Sequence, residues 1–195
     1  MIPVVCYFDS LNLKADRKRL SHGSYIEVFM KEHAYVLTML VANKPAVTAR
    51  VTGLFSGRGY NIQSICGAPT HDPEVSRITI KTIATPKTIE DIMKQLERLI
   101  DVIKLRDMTY DDAVKREMAL ISVVATNQNR TEIIQTIDIF NAKIINAGKD
   151  SYIVEVTGTE QKIDALISIL EPIGIKKLTR SGILTLKREL DETHR

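Results

Sequence analysis

The stretch from Asn43 to Ile62, NKPAVTARVTGLFSGRGYNI, constrains the fold more than any other part of the chain. Apolar residues recur in it at i, i+4, i+7 and i+8, the spacing of one buried helical face: Val47, Val51, Leu54 and Phe55. Asn43 is placed to cap this helix, and Pro45 falls where helical N–H groups lack internal partners anyway. Gly57 and Gly59 then predict a left-handed turn that ends the helix and leads into a strand.

Two asparagines flank this helix, Asn43 before it and Asn61 after it. We expect them to lie near each other at the helix start, whose unpaired N–H groups suit a carboxylate. This interpretation favours a sensor of a small ligand over a catalytic pocket. The alternative is that Asn43 and Pro45 only cap the helix, while Asn61 only tolerates positive φ in a turn. Spacing alone leaves both open.

The surrounding pattern predicts a β-α-β-β-α-β order, the ferredoxin-like plan, over residues 33–108. The segment His33–Ala42 is almost continuously apolar, which is typical of a strand buried on both faces. Alternation in Val75–Ile83 predicts that Arg77, Thr79 and Lys81 point to solvent. The other elements are strands at Tyr60–Ala68 and Asp101–Met108, and a helix opened by Thr85 and Pro86 with Ile89, Ile92, Met93, Leu96 and Leu99 inward.

The same order recurs after a charged linker, Thr109–Glu117, without a second NKPAV or GRGYNI. Strands are predicted at Met118–Ala125, Ala142–Ala147, Tyr152–Thr157, Ile175–Thr179 and Ile183–Lys187. Helices are predicted at Asn129–Asn141, with Ile133, Ile134, Ile137 and Phe140 inward, and at Thr159–Leu170, with Ile163, Leu166, Ile167 and Leu170 inward. We therefore expect an α+β protein with two tandem ferredoxin-like βαββαβ domains, at 33–108 and 118–190. An extension, 1–32, precedes them and has a possible short strand at Tyr25–Phe29.

Composition argues against several function classes. The net charge of +3 is spread along the chain, and there is no basic stripe with interleaved aromatics, so nucleic acid is not an expected partner. No apolar run approaches the roughly 18 residues of a membrane span, and residues 1–29 lack the signal-peptide pattern. We expect a cytoplasmic protein without a membrane partner. Cys6 and Cys66 are too few for a disulfide framework or a metal site.

The residues that catalysis needs are not grouped in the sequence. The four histidines are scattered, and none has the spacing of a zinc ligand set. Ser56 and Ser181 lack the G-x-S-x-G context of a nucleophile. Gly53, Gly57 and Gly59 close a helix, whereas the glycines of a phosphate loop precede one. We predict no catalytic residues and no metal site.

Longer segments carry a family resemblance. VLTMLVANKPAVTARVTGLFSGRGYNIQSI, GAPTHDPEVSRITIKT, KQLERLIDVIKLRDM, KREMALISV, DIFNAKI, TGTEQKIDALISIL and LTRSGILTLKR resemble the small, regulatory subunit of acetolactate synthase (acetohydroxyacid synthase). The resemblance covers about residues 33–190. Generic amino-acid-sensing ACT domains share the fold and the N-x-P signal, but rarely GLFSxRGYNI together with SRITI.

The resemblance implies an N-terminal ACT domain at 33–108 and a C-terminal domain special to the family. It implies a non-catalytic chain that activates a separate catalytic subunit and can confer feedback inhibition by valine or another branched-chain amino acid. That subunit would use thiamine diphosphate, Mg²⁺ and FAD, with no cofactor on this chain, to condense pyruvate with pyruvate or 2-oxobutyrate. The family's effector site lies between the ACT domains of a homodimer. Carried over, its residues are Asn43, the backbone of Ala46 and Val47, and Asn61 with Ile62.

One position departs from the family pattern. Family members commonly have glycine where this chain has Ala46, and the extra methyl group narrows the approach of a ligand carboxylate to the backbone. The departure predicts weaker inhibition, a different effector, or no change if the helix shifts slightly. Two other readings stay open: a free-standing ACT-type sensor that controls a different enzyme, transporter or transcription factor, and an enzyme in its own right.

Overall fold

The computed structural model describes residues 31–188, which contain nine strands and four helices. They form two antiparallel sheets, each with two helices. Residues 31–114 with 185–188 make one compact unit, and residues 115–184 make the other. The possible strand at Tyr25–Phe29 lies outside the described residues. The α+β class and the tandem ferredoxin-like plan are confirmed.

The first unit has the predicted element order. Its elements are β1 (His33–Ala42), α1 (Val47–Ser56), β2 (Ile62–Pro69), β3 (Val75–Ala84), α2 (Pro86–Leu96) and β4 (Val102–Asp107). The strand order across the sheet is β2-β3-β1-β4, and every neighbouring pair is antiparallel. The two central strands are therefore β3 and β1, while β2 and β4 are edge strands.

The core of this unit lies between the sheet and its two helices. As predicted, β1 is buried on both faces from Tyr35 to Met39. Both helices bury most of the predicted stripes: Val47, Val51 and Phe55 on α1, and Ile89, Ile92 and Leu96 on α2. The other predicted members, Leu54, Met93 and Leu99, are only partly buried against this core, and Leu99 lies beyond the end of α2. The Thr85 hydroxyl caps α2 by accepting from the Thr88 N–H at 3.3 Å. Pro86 occupies the first turn, where no N–H is needed.

The solvent-facing prediction for β3 is wrong at Thr79. Its side chain is only 3% exposed, and its hydroxyl lies 3.4 Å from that of Thr38 on β1. Because β3 is a central strand, Thr79 is flanked by strands on both sides. Alternation in the sequence predicts which residues share a face of the sheet. It does not predict whether that face is buried or exposed to solvent.

The second half repeats the plan with one more strand. Its elements are β5 (Ala113–Val124), α3 (Arg130–Ile139), β6 (Lys143–Ala147), β7 (Ser151–Gly158), α4 (Glu160–Leu170), β8 (Ile175–Arg180) and β9 (Leu184–Lys187). The sheet order is β6-β7-β5-β8, and β9 also pairs with β5. Strand β5 starts at Ala113, so residues 113–117 of the expected linker are strand and the connection from β4 is shorter.

The inner face of α3 differs from the prediction at one residue. Ile133 and Ile137 are buried, but Ile134 is 43% exposed and Thr136 takes an inner position instead. The Thr136 hydroxyl donates to the Glu132 carbonyl at 2.9 Å, so its polar group is satisfied within the helix. A buried threonine of this kind hides an inward position from a search for apolar residues.

A buried carboxylate in the second unit is neutralised by one arginine. Arg180 donates to both carboxylate oxygens of Glu117, at 2.8 and 2.7 Å, and to Asp164 at 2.7 Å. The Glu117 side chain is 5% exposed. The hydrogen bonds to Glu117 raise the pKa of Arg180, so its guanidinium stays charged at any ordinary pH. Burial of Glu117 therefore depends on this partner.

Two features are absent from residues 31–188. None of the helices described there is long and apolar enough to cross a membrane. Within the same residues, no group of three or more histidine, cysteine, aspartate or glutamate side chains could hold a metal ion.

Candidate functional site

The turn into α1 places Ala46 in the left-handed region, with φ 66° and ψ 0°. Ala46 is the residue that precedes the helix, and no side chain there bonds to the free N–H groups of the first turn. Its Cβ makes this conformation unfavourable for alanine, whereas glycine adopts it readily. The glycine common at this position in the resembling family therefore has a backbone reason, beyond the space it leaves for a ligand.

The prediction that Asn43 caps α1 is wrong. Its side-chain Nδ2 donates to the Pro73 carbonyl at 2.8 Å, and its backbone N–H donates to the Glu74 carbonyl at 2.7 Å. Asn43 therefore ties the end of β1 to the start of β3. Pro45 lies in the turn ahead of the helix rather than in its first turn. Because no acidic side chain occupies the first turn either, the partial positive charge of the helix start is left without a local counter-charge.

A cleft of about 380 Å³ opens beside this helix start. Its lining includes the polar side chains of Asn43, Lys44, Thr48 and Ser76 and the apolar side chains of Val47, Ile65 and Ile78. Lys44 is the one ionisable side chain among the described residues that line it. A cleft with one cation, amide and hydroxyl groups and an apolar wall can bind a small amphipathic anion or zwitterion. It lacks the paired acid and base that catalysis needs.

The expectation that Asn61 lies near Asn43 is wrong within one chain. Strand β3 pairs with the end of β1 at Val75 and with the start of β2 at Thr82, which is seven positions further on. At about 3.3 Å per residue, the two asparagines are roughly 23 Å apart along the sheet. The Thr82 hydroxyl donates to the Asn61 carbonyl at 2.6 Å and fixes that end.

The separation follows from the helix between the two asparagines. Helix α1 has ten residues, so it spans about 15 Å and delivers the chain to the far end of the sheet. Gly59 makes the turn there with φ +70°, as predicted. Gly57, in contrast, stays right-handed at φ −64° and uses no glycine-specific conformation. The structure thus groups Asn43, Ala46 and Val47 at one end of α1, and Asn61 with Ile62 at the other.

Sequence reasoning missed an ion pair beside the helix start. Arg50 of α1 donates from Nε and Nη2 to one carboxylate oxygen of Asp101, at 2.9 and 2.5 Å. The Asp101 carbonyl accepts from the Ala42 N–H at 2.9 Å. The two partners are 51 positions apart in the sequence, so no local sequence pattern predicts that they pair.

Comparisons with known proteins match both halves of the chain. A family model described as the AHAS small subunit-like ACT domain matches residues 37–104. A second one, described as the small subunit of acetolactate synthase, matches residues 116–189. These are the two halves that carried the resemblance.

Individual relatives agree with the family models. The acetolactate synthase small subunit of Mycolicibacterium smegmatis is 42% identical over 154 residues, which cover 79% of this chain and 91% of that protein. That of Aquifex aeolicus is 40% identical over 157 residues, covering 80% and 82%. The crystal structure of the acetolactate synthase small subunit from Thermotoga maritima matches with a TM-score of 0.74 at 36% identity, covering 81% of this chain and 99% of that one. The chain therefore belongs to the family of acetolactate synthase small subunits, the regulatory subunits of that enzyme complex.

Proposed function

We propose that this chain activates the catalytic subunit of acetolactate synthase and transmits feedback inhibition by a branched-chain amino acid, with valine the first candidate. The catalytic subunit would hold thiamine diphosphate, Mg²⁺ and FAD, and this chain would hold none of them. The observation that carries the sensor role is the uncapped start of α1 beside a cleft lined by both polar and apolar side chains.

The chemistry of the cleft suits an amino acid with a short branched side chain. A carboxylate is stabilised at the helix start, where N–H groups of the first turn have no side-chain partner. Val47, Ile65 and Ile78 offer apolar surface to the ligand's methyl groups. The ammonium group needs hydrogen-bond acceptors, and an asparagine side-chain oxygen is one.

Asn61 and Ile62 take part only if they come from a second copy of the chain. A distance of roughly 23 Å along the sheet is several times the length of an amino acid. We propose a homodimer through the ACT domains, in which Asn43, Ala46 and Val47 of one chain meet Asn61 and Ile62 of the other. In support, β2 carries Ile62 and is an edge strand, so none of the strands described in residues 31–188 pairs with its outer side. A ligand held between two chains stabilises one dimer arrangement over others, as allostery requires.

The first experiment is acetolactate formation by the matching catalytic subunit, with and without this chain, across a valine titration. Activation that valine reverses is the expected result. Activation without an effect of valine, leucine or isoleucine would support the activating role of this chain and contradict its role as an amino-acid sensor. No activation would favour a free-standing ACT-type sensor with a different target.

Mixed dimers test whether two chains share the site. Thr48→Glu places a carboxylate in the first turn of α1, which suits the helix dipole but repels a ligand carboxylate at the cleft. Asn61→Ala removes the other half of the site. Each variant alone should lose the amino-acid response and keep activation. A one-to-one mixture should recover part of the response, because each mixed dimer contains one site with both halves intact. No recovery on mixing would contradict the shared site.

A further inference from the structure

We propose that Arg50 and Asp101 are positioning residues for the effector site, which hold the start of α1 in the geometry that accepts the ligand. This inference rests on the proposed sensor function. Neither residue lines the cleft itself or belongs to the carried-over effector set; each acts through a neighbour that does.

No side chain of the residue before α1 caps the helix. The turn is held instead by hydrogen bonds that involve residues outside it. The Ala46 carbonyl accepts from the Arg50 N–H at 3.0 Å, which is the first bond of the helix. The Arg50 guanidinium then reaches Asp101, and the Asp101 carbonyl accepts from Ala42. Together with the backbone from Ala42 to Arg50, these contacts form a closed ring: Arg50 bonds to Asp101, and Asp101 bonds back to Ala42. The turn before α1 is part of this ring.

The ring acts on the one strained residue of the site. Ala46 holds φ 66°, which alanine leaves readily unless its surroundings fix it. Two of its supports are the strand-end bonds of Ala42 and Asn43. The third is the Arg50–Asp101 pair, whose carboxylate side chain is only 14% exposed. Loss of this pair should let the turn relax, which changes the backbone geometry of the helix start beside the cleft.

Charge supplies a second reason. The Asp101 backbone bonds to Ala42, next to the lining residue Asn43, so its carboxylate belongs to the same end of the sheet as the helix start. Arg50 neutralises that carboxylate. If Arg50 is removed, an unpaired negative charge remains near the place where a ligand carboxylate binds, which weakens ligand affinity further.

The test compares Arg50→Gln, Asp101→Asn and Arg50→Lys with Lys94→Gln. The last is a matched control, because Lys94 pairs with Glu90 on α2 at the same 2.5 Å and is exposed. Arg50→Gln should raise the valine concentration for half-maximal inhibition about three- to fivefold, the range expected of a partly exposed ion pair. Asp101→Asn should raise it by less, because it removes the same anchor but leaves no unpaired carboxylate near the ligand. Arg50→Lys keeps the charge without the two-donor fork and should be intermediate. Activation without valine and the urea midpoint should match the control.

Each outcome decides the matter. Variants that shift the valine response no more than Lys94→Gln would overturn the positioning role and leave the proposed function intact. The positioning role would also be wrong if the variants lost activation and stability to the same extent as the valine response. Such a result would mean that the ion pair only supports the fold. A wild-type chain that responds to none of the branched-chain amino acids would remove the sensor function and this inference together.

Discussion

Ala46→Gly should stabilise the first unit, although it deletes a methyl group. The left-handed conformation at φ 66° costs an L-residue about 1–2 kcal/mol. Glycine removes that cost, but it gives the unfolded chain about 0.4–1 kcal/mol more conformational entropy. The net gain is about 0.8 kcal/mol, which corresponds to roughly 2–3 °C in Tm for a chain of this size.

Two other glycines of the same segment calibrate this measurement. Gly59 has φ +70°, and an added Cβ there would meet nothing within 4 Å, so Gly59→Ala should lose a similar amount through backbone strain alone. Gly53 lies inside α1, also with nothing within 4 Å. Gly53→Ala should therefore gain about 1 kcal/mol from helix propensity. Urea denaturation followed by circular dichroism measures all three variants.

The result that would refute the reasoning is a destabilised Ala46→Gly in a series where Gly59→Ala is also destabilised. It would mean that the Ala46 methyl makes a contact worth more than the strain. The same variant also tests the ligand argument, because in the proposed site the methyl group would stand where a ligand carboxylate approaches the backbone. Ala46→Gly should lower the valine concentration for half-maximal inhibition, and an unchanged dose curve would show that the methyl is no obstacle.

Three further substitutions test a buried ion pair, a helix cap and the core of the first unit. Arg180→Met leaves Glu117 buried without its partner and should destabilise the second unit by about 3 kcal/mol in urea denaturation; a loss below about 1 kcal/mol would contradict the assigned burial. Thr159→Ala removes the hydroxyl that accepts from the Lys162 N–H and should cost about 1 kcal/mol, with faster amide exchange in the first turn of α4. Phe55→Ala opens a cavity at a fully buried position and should cost about 3–5 kcal/mol, whereas unchanged stability would mean that Phe55 is not packed.

The sequence by itself determined the kind, order and approximate ends of the elements. Helix and strand periods are local properties, so the stripe of α1 and the double-sided burial of β1 could be read directly. The start of α2 at Thr85 and Pro86 could be read too, because the Thr85 hydroxyl bonds to a residue only three positions away. The family could also be recognised from GLFSGRGYNI and its companions, since a motif of this length is a local property as well.

Only the tertiary structure decided which distant residues meet. The 23 Å or so between Asn43 and Asn61 follows from strand register, which the pattern of each segment leaves open. Ion pairs such as Arg50 with Asp101 depend on contacts made across the fold, and so does the burial of Thr79. The left-handed φ of Ala46 is a compromise between a local preference against it and the bonds that hold both sides of its turn. Long-range contacts can impose such a conformation because the local preference against it is only about 1–2 kcal/mol.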